Sequence, residues 1–197
     1  AVIRDNDRVC KYVDLPIQHV NDTVLARMNR HGDGAVVRAA VKKIRREIPG
    51  VTLRTTAIVG FPGETEAQFA ELCEFVKETG FDRFGAFTYS PEEGTPAAEF
   101  PDQIDEQVKQ DRYDTLMAVQ LEVSEKKMQE KIGDVIEVLC EGYDPVAGVQ
   151  YGRSRADAPD VDGKVYFTSA KKLPEGVFVN VKITKALDYD LFGEAVR

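Results

Sequence analysis

Cysteine is scarce in this chain, and what little there is stands isolated. Cys10, Cys73 and Cys140 fall in no CxxC or CxxxCxxC grouping, so the sequence gives no metal site and no disulfide framework. They read as reduced cytoplasmic thiols, with Cys73 a core residue of a helix. Long apolar runs are missing too. None approaches the roughly 20 residues a membrane-crossing helix needs, and nothing at the start has a signal peptide's pattern, so no membrane partner is expected. There is no excess of positive charge: 26 Lys and Arg against 34 Asp and Glu leave a net −8. Such a surface repels phosphate backbones, which makes a cationic protein the easier partner. No internal repeat stands out. An initiator methionine is also lacking, and the opening at Ala1 suggests an excised or processed segment.

What is present suits a folded, core-forming protein. A chain of 197 residues, 43% hydrophobic and 30% charged, can form one large domain or a large and a small one. Cys10 to Ile17 alternates like a strand ending at Pro16 to His19. Asn21 or Asp22 can cap a short helix through Met28, and Asp33 a second one carrying Val37, Val41, Ile44 and Ile48 at helical spacing. Pro49-Gly50 stops it. Val51 to Phe61 reads as a strand. Thr65 with Gln68 fits a capping box for a third helix, which Gly80 ends. Phe81 to Tyr89 is the third strand, with Phe81, Phe84 and Phe87 as core, and a long helix is expected from about Asp105 to Lys131.

Strands alternating with helices imply parallel βαβ units. Three strands cannot close a barrel, so residues 1–131 read as half of a larger one whose first strands are absent. From Gly133 the texture changes to short alternating runs punctuated by Gly, Pro and Asp, about five strands that fit a small barrel over 132–197. That stretch holds 11 acidic and 8 basic residues, a net −3, against −5 for the rest.

In parallel α/β folds, ligands sit at the carboxyl ends of the strands. Here those ends are Pro16 to His19, Gly60 to Thr65 and Tyr89 to Pro96. Arg54 inside its strand and Arg30 at a helix end are each either a structural charge or an anion ligand. His19 suits a capping or turn role better than proton transfer. Gly60 and Gly63 answer to backbone conformation or close ligand approach. Glu92 and Glu93 are a solvated loop face or steer a basic substrate. Lys42, Lys43, Arg45 and Arg46 form a basic helix face of the kind usually just solvated.

Four phrases, YVDLPIQH, LARMNR, TTAIVGFPGET and YSPEEGTPA, in this order and spacing, resemble the second half of a radical-SAM methylthiotransferase barrel, and the terminal segment resembles its TRAM domain. The fold implied is α/β: a partial radical-SAM (TIM-like) barrel followed by a small all-β, OB-like TRAM barrel. YSPEEGTPA together with Gly152-Arg153-Ser154 and the stretch Asp157 to Gly163 looks like the RimO type, which methylthiolates an aspartate of ribosomal protein S-twelve. The tRNA-modifying MiaB type is the alternative, and a stand-alone RNA- or protein-binding barrel a third reading.

The resemblance implies S-adenosylmethionine as cosubstrate and two four-iron four-sulfur clusters in the whole enzyme, whose cysteines this chain lacks. It therefore implies a transferase that is inactive as this chain alone, with no metal site and no assignable catalytic residue. The expected cosubstrate pocket takes Arg30 and Arg54 as cations, Gln18 and Thr56 as polar groups, and Ile58, Gly60 and Phe61 as a flat apolar slot. The radical-SAM strand pattern GxIxGxxE appears imperfectly, as Thr56, Ile58 and Gly60 with Glu64 one place late. Glu92 and Glu93, with Asp157, Asp160 and Asp162 in the Pro/Gly-punctuated loop, are the expected docking groups for the basic ribosomal protein.

Overall fold

The computed structural model describes residues 1–196, which separate into two compact units, one of residues 13–123 and one of 1–12 with 124–196. The chain starts with a single helical turn, α1 (Val2–Asp5), which carries no buried residue and was not foreseen from the sequence. The first strand, β1 (Tyr12–Asp14), is shorter than its alternation suggests. Pro16 has no amide hydrogen to give to a ladder, and beyond it pairing persists only as a parallel bridge between Gln18 and Ala57.

Helices α2 (Asp22–Arg27) and α3 (Gly34–Glu47) begin where short polar side chains can accept from free N–H groups. Asn21 accepts from Thr23 and Val24, and Asp33 from Val36. Strand β2 (Thr52–Val59) then pairs in parallel with β3 (Arg83–Thr88), giving the sheet order β1-β2-β3. Between them α4 (Glu66–Thr79) carries the expected capping box of Thr65 and Gln68 and ends at Gly80 in the left-handed conformation. Replacing Thr65 with alanine removes one side of that box, and urea unfolding is expected to show a loss of about 1 kcal/mol.

The period of two along β2 sorts its side chains cleanly. Leu53, Thr55, Ala57 and Val59 are buried, whereas Arg54, Thr56 and Ile58 are half-buried on the opposite face. The buried row meets Leu72, Phe75 and Val76 of α4, Phe81, and Leu116 of the long helix α5 (Glu106–Gln129). The other row is left available for a ligand.

The second unit is a closed barrel of order β4-β5-β6-β8-β7, built from β4 (Val135–Asp144), β5 (Val149–Ser154), β6 (Val165–Thr168), β7 (Phe178–Ala186) and β8 (Leu191–Val196). All its pairings are antiparallel except β6 with β8. Val138, Cys140, Val165, Phe167, Val181 and Ile183 fill it, joined by Met128 from the last turn of α5.

Candidate functional site

A cavity of about 490 Å³ opens at the carboxyl ends of β2 and β3 and brings together Gln18, Arg30, Thr56, Ile58 and Phe61. Each arrives for a local reason. Thr56 and Ile58 are successive members of the half-buried row of β2, and the register sets Ile58 beside Phe87. Gln18 adopts φ 66°, which is costly for a residue with a Cβ. It is held there on both sides: its N–H donates to Thr56 O at 2.9 Å, and its carbonyl accepts from Ile58 N–H at 2.8 Å. Arg30 follows α2, with its N–H donating to Leu25 O at 2.9 Å and its guanidinium donating to Pro16 O at 2.7 Å. The guanidinium is thus aimed by one bond while other donors stay available.

The turn after β2 explains the late glutamate. Gly60 and Gly63 have φ of +71° and +78°, and a Cβ on either would lie 2.4 Å from Lys109 Cγ or Asp102 Oδ2 respectively. Glu64 points inward from this turn and accepts from Gly60 N–H at 2.6 Å and Phe61 N–H at 3.3 Å. Its counter-charge is Arg112, which donates to the Glu64 backbone oxygen at 3.1 Å and lies 3.4 Å from its carboxylate. Burial pushes the Glu64 carboxyl above the ordinary value, with Arg112 and the two N–H groups pulling the other way. Glu64 therefore fixes the backbone that presents Phe61, and Gly60 serves the turn without lining the cavity.

Arg54 lies on the same sheet face but outside the cavity, with its guanidinium 2.5 Å from Asp14. His19 is fully buried and accepts from Asn21 N–H through Nδ1 at 3.0 Å. Burial, seconded by the Arg112 charge, lowers its pKa from 6.5 to about 4, so it is a neutral turn residue. Phe87 corrects an expectation: Phe81 is fully buried and Phe84 partly packed on the core, but Phe87 is 57% exposed and forms cavity wall. Arg45 is no solvated charge either, since it binds Asp82 and Gly80 O. Met28, Phe87 and Tyr89 line the cavity without having been singled out as ligands.

Glu92 and Glu93 are exposed in the loop after β3. The acidic loop of the barrel is less open than its sequence suggests. Asp157 is buried and accepts from Ser154 N–H at 2.9 Å and its hydroxyl at 2.6 Å, while Asp162 accepts from Ala158 N–H and the Tyr12 hydroxyl, both at 2.7 Å. Asp157 is thus part of the loop's own scaffold, and Asp160 is the exposed member of the three.

Cluster iron is held by Cys thiolates, and the cysteines here do not fit that need. Cys10 is exposed, Cys73 half-buried and Cys140 buried in the barrel. Burial raises the Cys73 pKa to about 11, which suits an inert thiol. Among the described residues no group of three or more His, Cys, Asp or Glu could hold a metal ion. Among the described residues no helix is long and apolar enough to cross a membrane.

Known proteins share both units. A model of the Radical SAM superfamily matches residues 1–76, and one of the TRAM domain matches 132–196. Over 98% of its length the chain is 50% identical to ribosomal protein uS12 methylthiotransferase RimO from Alkaliphilus oremlandii, and over 99% it is 52% identical to the protein of that name from Geotalea uraniireducens. Each match covers 44% of the relative, its C-terminal part. The chain thus spans less than half the length of these curated relatives. Among solved structures it is similar to the Escherichia coli coproporphyrinogen III oxidase HemN, described as a radical SAM enzyme. The TM-score is 0.50 at 23% identity, covering 58% of this chain and 27% of that one. That likeness speaks for the fold alone.

Proposed function

We propose, from the premise that the chain belongs to the radical-SAM methylthiotransferases, that it is the part of such an enzyme that grips S-adenosylmethionine and docks a ribosomal protein. The observation carrying this reading is the meeting of Gln18, Arg30, Thr56, Ile58 and Phe61 in one cavity. Arg30 binds the cosubstrate's carboxylate, Gln18 and Thr56 take its other polar groups, and Ile58 with Phe61 forms the apolar wall for adenine. Superfamily membership implies S-adenosylmethionine and iron–sulfur chemistry in general. On this reading, two four-iron four-sulfur clusters are held by residues outside this chain and supply the radical chemistry. The residues present here bind, orient and exclude water, and Arg54, tied to Asp14, orders the strand leading into the cavity.

The functional division falls at 131/132, with the TRAM barrel as docking domain. The protein is cytoplasmic, and its target is an aspartate of ribosomal protein uS12, the protein named in its relatives' descriptions. Glu92, Glu93 and Asp160 attract that basic partner; the net −3 of the barrel stretch disfavours tRNA, whose phosphates it repels. Calorimetric titration tests the cavity. Arg30→Ala should weaken S-adenosylmethionine binding by about 1.5–3 kcal/mol, the range for a charge-assisted hydrogen bond. Unchanged affinity in a folded variant would remove Arg30 from the site.

A further inference from the structure

Tyr89 ends the third strand inside the YSPEEGTPA phrase, lines the cavity, and has no role in the reading above. It is 9% exposed, and its hydroxyl is shut from solvent without a hydrogen-bond partner among the described residues. A buried hydroxyl left unpaired costs free energy, and this one cannot escape by swinging outward. Phe61 meets its ring edge-on at a centroid distance of 5.0 Å, the Lys109 ammonium lies 5.3 Å from its centre, and Val24 packs in the same cluster. A rigidly held donor with nothing to bond, in the wall of a cavity, has the form of a contact completed by a ligand.

The position says which part of the ligand it meets. Tyr89 packs on Phe61 and shares its cluster with Ile58, the apolar wall against which a flat base would lie, whereas Arg30 supplies the cavity's cation. We propose that Tyr89 is a further binding residue of this site, its hydroxyl donating a hydrogen bond to an acceptor on the nucleoside end of the bound cosubstrate. The inference rests on the S-adenosylmethionine reading of the cavity. A site that relies on such a donor discriminates against analogues lacking the matching acceptor, because the donor is then stranded again.

Tyr89→Phe removes the hydroxyl and keeps the ring. Titrations of S-adenosylmethionine, adenosine and methionine into the parent and variant chains, followed by ligand-observed NMR, separate the contacts. The expected result is affinity about 3- to 10-fold weaker for both adenosine-containing ligands, the scale of one neutral hydrogen bond, with methionine unaffected. The unliganded variant should melt at or above the parent's temperature, since an unsatisfied group has been removed. If the parent binds adenosine and the variant binds it equally well, Tyr89 is no ligand, and the cavity's reading survives. If the parent binds none of the three, the cavity's reading fails and this inference with it. A lower melting temperature for the unliganded variant would show that the hydroxyl is already satisfied within the protein, which also overturns the proposal.

Discussion

Replacing Arg112 with methionine is expected to cost about 3–5 kcal/mol of folding stability, the range for breaking a buried ion pair by removing one partner. The Glu64 side chain is fully buried and that of Arg112 is 9% exposed, so water cannot take over as counter-charge. Without the guanidinium, Glu64 keeps only the N–H groups of Gly60 and Phe61, and protonation becomes its easiest relief. A carboxyl held further above its unfolded pKa binds more protons folded than unfolded, so the variant's deficit should grow as pH rises from about 4.5 towards neutrality. The double variant Glu64→Gln with Arg112→Met should recover much of the loss, because no unpaired charge remains. Urea unfolding of the parent, Arg112→Met, Glu64→Gln and the double variant at two pH values gives the coupling energy. A loss under about 1 kcal/mol for Arg112→Met, in the range of exposed pairs, would show that the pair does not hold the turn. If the turn does loosen, Phe61 loses its seat against Tyr89, and affinity at the cavity falls with stability.

The pair also marks where reading the sequence stops. Asn21, Asp33 and the Thr65/Gln68 box were legible because a cap and the N–H groups it serves lie within three residues. The five-stranded barrel was legible because alternation and turn residues recur at short intervals. Arg112 lies 48 residues beyond Glu64, and nothing local signals that they meet. Alternation along β3 separates Ala86 from Phe87, but it does not say which face another element covers, so Phe87 read as core. The acidic loop failed differently. Asp157 and Asp162 looked like displayed charge, yet each has backbone N–H groups within four residues that it can accept from. Short acidic side chains in turns commonly do this, and the partner Tyr12 of Asp162 lies 150 residues away. For the cavity, the strand ends and the family resemblance pointed to Gln18, Arg30, Thr56, Ile58 and Phe61, which line it, and also to Arg54 and Gly60, which do not. Tyr89 was placed at a strand end but given no ligand role, because its interest lies in a bond it does not make.

His19 sets the second large effect, an acid sensitivity between pH 6.5 and 4. Nδ1 accepts from Asn21 N–H and the ring is fully buried, so the folded protein holds it neutral. Its pKa is depressed from 6.5 to about 4 by burial first and by Arg112 second. Protonation would also destroy the acceptor that ties the cap of α2, the helix leading to Arg30. Because the unfolded chain takes up this proton more readily, stability is complete above pH 6.5 and is lost as pH falls through the folded value. Linkage puts the loss at about 2 kcal/mol by pH 5 and about 3 kcal/mol by pH 4. Carboxylates titrate over the lower part of that window, so the informative quantity is the difference between parent and His19→Gln unfolding free energies as a function of pH. The variant should start less stable at pH 7, having lost the fitted ring, and its curve should lack the descent between pH 6.5 and 5. His31, the chain's other histidine, is exposed, and His31→Gln should leave the parent's descent unchanged. If His19→Gln follows the parent's pH profile in parallel, the ring is not held neutral by burial. If the descent is instead removed by His31→Gln, the acid-sensitive element lies beyond α2 and not at its cap.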